Sequence, residues 1–217
     1  MARKASAKRT RARPAAEAAD PEFAAIEAAL RLAAERGWSE LTLAEIAAEA
    51  GQPLSEFYRR FPTRQAILAA LSRRVDLQVL QAIDGEPPEG DPRDRLFDVV
   101  MRRFDALQPH RAGLRAVARA SCRDPLALLC GAAGLRRSMA AMLEAAGIPA
   151  TGLAGLIRAK GLAAVYLAAF RAWLRDETED RAHTMAALDR ALRRAEGWAS
   201  VLERPLGCPM GRRRATA

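Results

Sequence analysis

An all-α fold is the class that this sequence predicts. Half of the 217 residues are hydrophobic, and only 5% of all residues are aromatic. Alanine and leucine dominate while β-branched residues are few, a composition that favours helices over strands. Apolar residues recur at helical spacing between glycine and proline breaks. The length suits a small N-terminal unit of three helices followed by a larger helical domain.

The N-terminal unit begins with an amphipathic helix over residues 22–36, which ends at Gly37. A second helix is predicted after Thr42, because Thr42 is a suitable cap and Glu45, three residues later, completes a capping box. Gly51 suits the left-handed backbone conformation with which a helix often ends.

A third short helix is predicted from Pro53, which is tolerated in a first helical turn, to Phe61. Its expected inward residues are Leu54, Phe57, Tyr58 and Phe61, and its expected outward residues are Glu56, Arg59 and Arg60. Two short helices joined by a glycine-containing turn indicate a helix-turn-helix, whose second helix enters the major groove of DNA.

The combined pattern resembles the TetR family of bacterial transcriptional regulators. The resemblance covers about residues 22–75, including the first helix and its glycine. Its motif residues are Thr42, Ile46, Ala47, Ala50, Gly51, Tyr58, Phe61, Pro62, Thr63, Arg64, Ile67 and Leu68.

This resemblance implies a set of DNA contacts. Arg59 and Arg60 are expected to reach bases or phosphates, and Tyr58 and Arg64 are expected to hold the DNA backbone. The complete expected set is Thr42, Ser55, Glu56, Tyr58, Arg59, Arg60, Thr63 and Arg64.

The recognition helix departs from the family pattern at two contact positions. Leu54 stands where the family has lysine, and Glu56 stands where it has threonine. Leu54 cannot release counterions from phosphates as a lysine does. Glu56 is either repelled by the phosphates, which lowers the affinity, or accepts a hydrogen bond from a cytosine N4 amine.

Most of the net charge of +9 comes from the two ends of the chain. The basic residues of the N-terminal arm are Arg3, Lys4, Lys8, Arg9, Arg11 and Arg13, and those of the C-terminal tail are Arg204, Arg212, Arg213 and Arg214. The arm either contacts DNA next to the helix-turn-helix or acts as a solubilising tail. It has no apolar core of a secretory signal, and a cytoplasmic location is expected.

The remaining chain predicts six helices. Their expected ranges are 63–83, 91–107, 109–120, 125–146, 151–174 and 178–202. Asp91 followed by Pro92, and Asp124 followed by Pro125, are typical helix starts. The expected domains are an arm at 1–20, the headpiece at 21–70, a ligand-binding and dimerisation domain at 71–203, and a tail at 204–217.

The family resemblance also implies a homodimer through the last two helices and an apolar ligand pocket in the body. The candidate pocket residues are Met101, Phe104, Met139, Met142, Tyr166, Phe170 and Trp173, although such residues also form ordinary cores. His110 and His183 are either polar anchors for the ligand or surface histidines.

Several classes of protein are not expected from these residues. The sequence has no catalytic motif and no metal-ligand spacing, so neither an enzyme nor a cofactor is predicted. Cys122, Cys130 and Cys208 fit free thiols in a reducing compartment. The longest uncharged apolar run near the C-terminus, residues 161–170, is about half the length of a membrane span.

The resemblance therefore implies a transcriptional regulator, acting as a repressor, that binds operator double-stranded DNA as a homodimer and is released by a small apolar ligand.

A second resemblance leads to a different class of protein. The segments at residues 95–105 and 173–188 are similar to the lipid-binding accessory protein of ubiquinone biosynthesis. That protein shares the TetR fold but carries an isoprenoid lipid instead of regulating transcription.

Overall fold

The computed structural model describes residues 20–122 and 125–203, and the regular elements of those residues are all helical, as the composition predicts. Most of the basic arm and the whole tail lie outside the described residues, as do Asp124, Cys208 and the side chain of Cys130. The α-helices are α1 (Pro21–Arg36), α2 (Leu43–Glu49), α3 (Leu54–Arg60), α4 (Arg64–Gly85), α5 (Pro92–Leu107), α6 (Arg111–Ser121), α7 (Pro125–Ala145), α8 (Gly152–Trp173) and α9 (Ala182–Glu203).

The predicted helices are present, with small differences at their ends. Short 3₁₀ turns occupy Trp38–Glu40 and Gln108–His110, and the second replaces the first turn of the helix predicted from residue 109. Asp91 caps α5 by accepting from the amides of Arg93 and Asp94. Helix α4 continues through residues 70 and 71, so the predicted boundary between headpiece and body falls inside a continuous helix.

Helix α6 connects the headpiece to the end of α8. On one side it approaches α1 closely, because Gly113 lies against the backbone of Leu30. On its other side, Arg111 donates to the carbonyl of Asp176, and Arg115 Nε donates to the carbonyl of Leu174 at 2.9 Å. These arginines satisfy carbonyls that the end of a helix leaves without partners.

A buried polar cluster joins α4 to the body. Arg103 of α5 forms an ion pair with Asp76 of α4, and its Nη2 lies 3.0 Å from the Ser72 hydroxyl. Ser138 of α7 donates to the same Asp76 carboxylate at 2.8 Å. The guanidinium also lies over the ring of Tyr166 on α8, 5.4 Å from its centroid. Four helices therefore meet at one buried charge pair.

The turn between α8 and α9 is organised by Asp176, which is buried. One carboxylate oxygen accepts from the Thr178 hydroxyl, and the other accepts from the amide and hydroxyl of Thr184. Burial alone would raise the pKa of Asp176, but these hydrogen bonds outweigh it and hold the pKa well below its usual value. Because Thr178 is used in this turn, α9 begins at Ala182 and not at the predicted residue 178.

Helix α8 is apolar over a longer stretch than the uncharged run of residues 161–170 indicates. By length and composition it is the one described helix that could cross a membrane, with a mean hydropathy of 1.5 over its most apolar window. Arg158, Lys160 and Arg171 shorten the uncharged run that the sequence analysis counted. Helix α8 packs against α7 and α9, yet only 33% of that window is buried.

The contact between α6 and α1 predicts the effect of Gly113→Ala. A Cβ at this position would lie 2.4 Å from the Leu30 carbonyl oxygen, so the two backbones would have to separate. We expect the free energy of unfolding to fall by about 1–3 kcal/mol or more, as for overpacked cores. Gly131→Ala on α7 is the control, because nothing lies within 4 Å of its added Cβ. If urea unfolding gave Gly113→Ala a free energy of unfolding equal to or higher than that of Gly131→Ala, the close contact would be contradicted.

Candidate functional site

The helix-turn-helix begins with a capping box on α2. The Thr42 hydroxyl accepts from the amide of Glu45 at 3.2 Å, and the Glu45 carboxylate accepts from the amide of Thr42 at 2.9 Å. Hydrogen bonds from the Thr42 amide and hydroxyl, together with Arg36, hold the pKa of Glu45 below its usual value. The predicted capping box is therefore confirmed, and the Thr42 side chain is engaged within α2.

The turn after α2 directs the chain into α3. Gly51 has φ of 66°, a conformation that glycine adopts without strain. The Gln52 side chain donates to the Pro21 carbonyl at 2.7 Å and ties the turn to α1. Pro53 was predicted within the first turn, but it is the cap residue and Leu54 is the first residue of α3. Pro53 has an extended backbone, with ψ of 134°, which excludes it from the helix.

Two phenylalanines attach α3 to the headpiece. Phe57 and Phe61 are buried, and their ring centroids are 5.3 Å apart. The prediction that Leu54 and Tyr58 also face inward was wrong, since these side chains are 49% and 57% exposed. A helix of two turns can bury only a narrow face, and the pair at i and i+4 occupies it. Leu54 and Tyr58 flank that face and remain in solvent.

The outward face of α3 carries polar and charged side chains that do not contact other side chains through hydrogen bonds or ion pairs in the described residues. Ser55, Glu56, Arg59 and Arg60 are exposed, as predicted for the charged residues. Within the part of the chain that the structure describes, these four side chains make no hydrogen bond or ion pair. Two arginines and one glutamate give this face a positive balance.

The side chains of Thr63 and Arg64, which follow α3, make contacts within the protein. The Thr63 hydroxyl caps α4 by accepting from the amide of Ala66 at 3.2 Å. Arg64 Nη1 donates to the carbonyls of Trp38, Ser39 and Leu41, the last two at 3.0 Å. Its guanidinium carbon lies 5.6 Å from the centroid of the Trp38 ring. Arg64 therefore joins α4 to the segment between α1 and α2, a role that sequence reasoning missed.

The predicted pocket residues form part of the packed body core. Phe104 stacks between Tyr166 and Trp173, with centroid distances of 5.4 and 5.6 Å, and Phe170 lies against both of the latter. Met139 and Met142 are buried, while Met101 and Phe170 are half-buried at its edge. Burial raises the pKa of Tyr166 above its usual value. The structure thus brings the four aromatic side chains close to one another.

Two cavities among the described residues lie elsewhere. One, of about 370 Å³, is lined by Arg93, Asp94, Phe97, Met185, Ala186 and Asp189. The other, of about 360 Å³, is lined by Gln78, Val79, Ala82, Glu86, Arg102, Asp105 and Ala106. Neither contains a predicted pocket residue, and both include several charged side chains. The described residues also contain no group of three or more side chains arranged to hold a metal ion.

The two histidines do not belong to the aromatic cluster. His110 Nδ1 lies 3.2 Å from a Glu27 carboxylate oxygen of α1. Burial lowers the pKa of His110, and the nearby Glu27 carboxylate opposes that effect. His183 is exposed near the start of α9.

Comparisons with known proteins agree with this architecture. The sequence model described as bacterial regulatory proteins of the tetR family matches residues 25–71. No curated protein sequence matches the chain. The structure resembles a TetR transcriptional regulator from Nitrosomonas europaea, with 25% identity and a TM-score of 0.66, over 82% of this chain and 99% of that chain.

Two further solved structures share the fold. A TetR transcriptional regulator from a Rhodococcus species is 20% identical, with a TM-score of 0.60 over 81% of this chain and 94% of that chain. A TetR family member from Streptomyces coelicolor is 23% identical, with a TM-score of 0.50 over 79% of this chain and 98% of that chain.

The fold and the site define an all-α protein with an N-terminal helix-turn-helix of the DNA-binding type and a larger helical body. Residues 25–71 match the model of the TetR family of bacterial regulatory proteins, and the described fold is that of solved TetR transcriptional regulators.

The position of Arg64 predicts that Arg64→Ala destabilises the headpiece. The change removes charged hydrogen bonds to carbonyls on a different segment, and such bonds contribute about 1.5–3 kcal/mol each. We expect a measurable fall in the midpoint of urea unfolding. Arg59→Ala is the matched control, because Arg59 is exposed and an exposed substitution changes stability by only about 0.5 kcal/mol. Equal unfolding midpoints for the two variants would contradict the structural role of Arg64.

Proposed function

We propose that this protein is a transcriptional regulator, acting as a repressor, that binds operator DNA as a homodimer through α3. The observation that carries this proposal is the outward face of α3, whose polar and charged side chains are exposed and have no partners among the described residues. The second helix of a helix-turn-helix enters the major groove with its N-terminal residues toward the base edges. The proposal assigns the protein no reaction and no cofactor.

The DNA-binding residues have different proposed roles. Ser55, Glu56 and Arg59 face the bases, while Tyr58 and Arg60 reach phosphates on either side of the groove. Thr42, Thr63 and Arg64 already make contacts within the headpiece. We therefore assign these three residues to positioning the surface, with any phosphate contact made by atoms that remain free.

The homodimer is proposed to form through α8 and α9. Leu153 and Ile157 on α8 are 74% and 53% exposed, and Leu167 on the same helix is also exposed. Apolar side chains that recur along one helix favour burial against a partner surface. A second copy with the same exposed helix would cover them in a two-fold arrangement, and a two-fold dimer matches a palindromic operator.

The proposed effector is a small apolar molecule that binds among the aromatic residues of the body. Because Phe104, Tyr166 and Trp173 are in contact, such a ligand must separate them and thereby move the helices that carry them. A ligand shifts the equilibrium toward the rearranged state only by its difference in affinity for the two states. We propose that, in this rearranged state, the distance between the two recognition helices of the dimer no longer matches the spacing of the operator half-sites. We also propose a cytoplasmic location and the domain limits 1–20, 21–70, 71–203 and 204–217.

The carrier function is not proposed. The exposed outward face of α3, which carries Arg59 and Arg60, is a feature that DNA binding uses and that lipid carriage does not require.

The DNA-binding proposal is tested by replacing Arg59 and Arg60 together with alanine. We expect weaker binding to a duplex from the region upstream of the protein's own coding sequence. Because Arg60 is assigned to a phosphate and Arg59 to the bases, the magnitude of the slope of log affinity against log salt should fall by about 1. A variant carrying Arg119→Ala and Arg190→Ala, two exposed residues of the body, is the control for the same change in charge. Unchanged affinity and slope in the α3 variant would reject the proposed interface.

The dimer proposal is tested by Ile157→Glu. A charge on the exposed face of α8 would be buried without a partner in the dimer, so we expect sedimentation equilibrium to detect monomers. Leu77→Glu is the control, since Leu77 is an equally exposed apolar residue of α4. A monomeric parent protein at micromolar concentration, or an Ile157→Glu variant that remains dimeric, would count against this interface.

A further inference from the structure

Glu56 occupies the part of α3 that points away from the protein. Phe57 and Phe61 define the inward direction of the helix, because both are buried. At about 100° per residue, Arg59 lies opposite to them, and Ser55 and Glu56 lie within about 60° of Arg59. The geometry therefore places a carboxylate beside an arginine on the most outward surface of the motif.

The carboxylate of Glu56 is exposed, and two positive charges lie near it on the same helix. Arg59 and Arg60 follow it by three and four residues, and the helix as a whole has a positive balance. Glu56 also lies in the first turn of α3, where the helix dipole favours a negative charge. No hydrogen bond or ion pair with another described residue occupies its oxygens. The carboxylate is thus a hydrogen-bond acceptor that is free to bind a donor outside the protein.

The hydrogen-bond donors that bases present in the major groove limit which base Glu56 can bind. Cytosine presents its N4 amine there, and carboxylates accept from this group. Adenine also presents an amine, but its N7 acceptor lies beside it and disfavours a carboxylate. Phosphates present no donor and repel the charge. An outward carboxylate at the N-terminal end of a recognition helix is therefore best matched by a cytosine.

We propose that Glu56 determines operator specificity by accepting a hydrogen bond from a cytosine N4 amine, with Arg59 donating to a guanine one or two base pairs away. Side chains at i and i+3 of a helix are about 5–6 Å apart, which suits neighbouring base pairs. This inference rests on the proposed DNA-binding function and goes further, because it names the base pair that one residue reads.

The test is selection of binding sites from a randomised duplex library by the full chain and by its Glu56→Gln variant. Glutamine pairs with the N7 acceptor and N6 amine of adenine. We expect the parent protein to select a C·G pair at one position of each half-site. The variant should select an A·T pair at that same position, with the preference changed by about 5-fold to 100-fold.

Two further variants separate a change of specificity from a change of charge. Glu56→Ala should lose the preference at that position without gaining a new one. Glu35→Gln removes the same charge from an exposed site on α1 and should leave the selected sequence unchanged. Circular dichroism melts of each variant confirm that the headpiece is folded during selection.

The outcomes distinguish this inference from the proposed function. If Glu56→Gln binds all sequences more tightly and selects the parent site, Glu56 only repels phosphates and the inference is overturned. If the parent protein selects no sequence from the library, the DNA-binding function itself fails, and the inference fails with it. A variant-specific switch from C·G to A·T supports both.

Discussion

The burial of Phe57 and Phe61 is the constraint on which the surface of this protein depends. A helix of two turns has little stability of its own in water, so its orientation comes from the face that it buries. With these two rings fixed in the headpiece, the rotation of α3 is determined, and Ser55, Glu56 and Arg59 must point outward. The turn at Gly51 sets how the chain enters α3, and Arg64 holds the helix that follows. The candidate DNA-binding surface is therefore a consequence of a small apolar contact.

The headpiece and the body are connected by a continuous helix, a buried ion pair and close packing. Helix α4 is continuous from the headpiece into the body, and its Asp76 is paired with Arg103 below the surface. Removing one partner of a buried ion pair leaves an uncompensated charge, so the pair strongly favours one arrangement of α4 against α5. Helix α6 adds a second connection through Gly113 on one side and the end of α8 on the other. A rearrangement of the aromatic residues next to Arg103 would therefore be transmitted to the headpiece by packed elements.

The parts of the fold that sequence reasoning predicted are those whose causes are local. The capping box of Thr42 and Glu45, and the start of α5 at Asp91, involve residues at most three positions apart. The missed features join distant parts of the chain. Arg64 contacts carbonyls 23 to 26 residues away, and Arg103 pairs with a residue 27 positions earlier. The inward assignment of Leu54 and Tyr58 failed because apolar periodicity over two turns cannot specify how wide the buried face is. Whether the predicted residues contact DNA or a ligand remains a prediction, since it depends on molecules outside the chain.

A crystal structure of the protein bound to a duplex that it has selected would show directly whether α3 reads the bases. We predict that α3 lies in the major groove, that Ser55, Glu56 and Arg59 face the base edges, and that Phe57 and Phe61 remain buried in the headpiece. A complex in which α3 is outside the groove, or in which the duplex is held only by other parts of the chain, would contradict it.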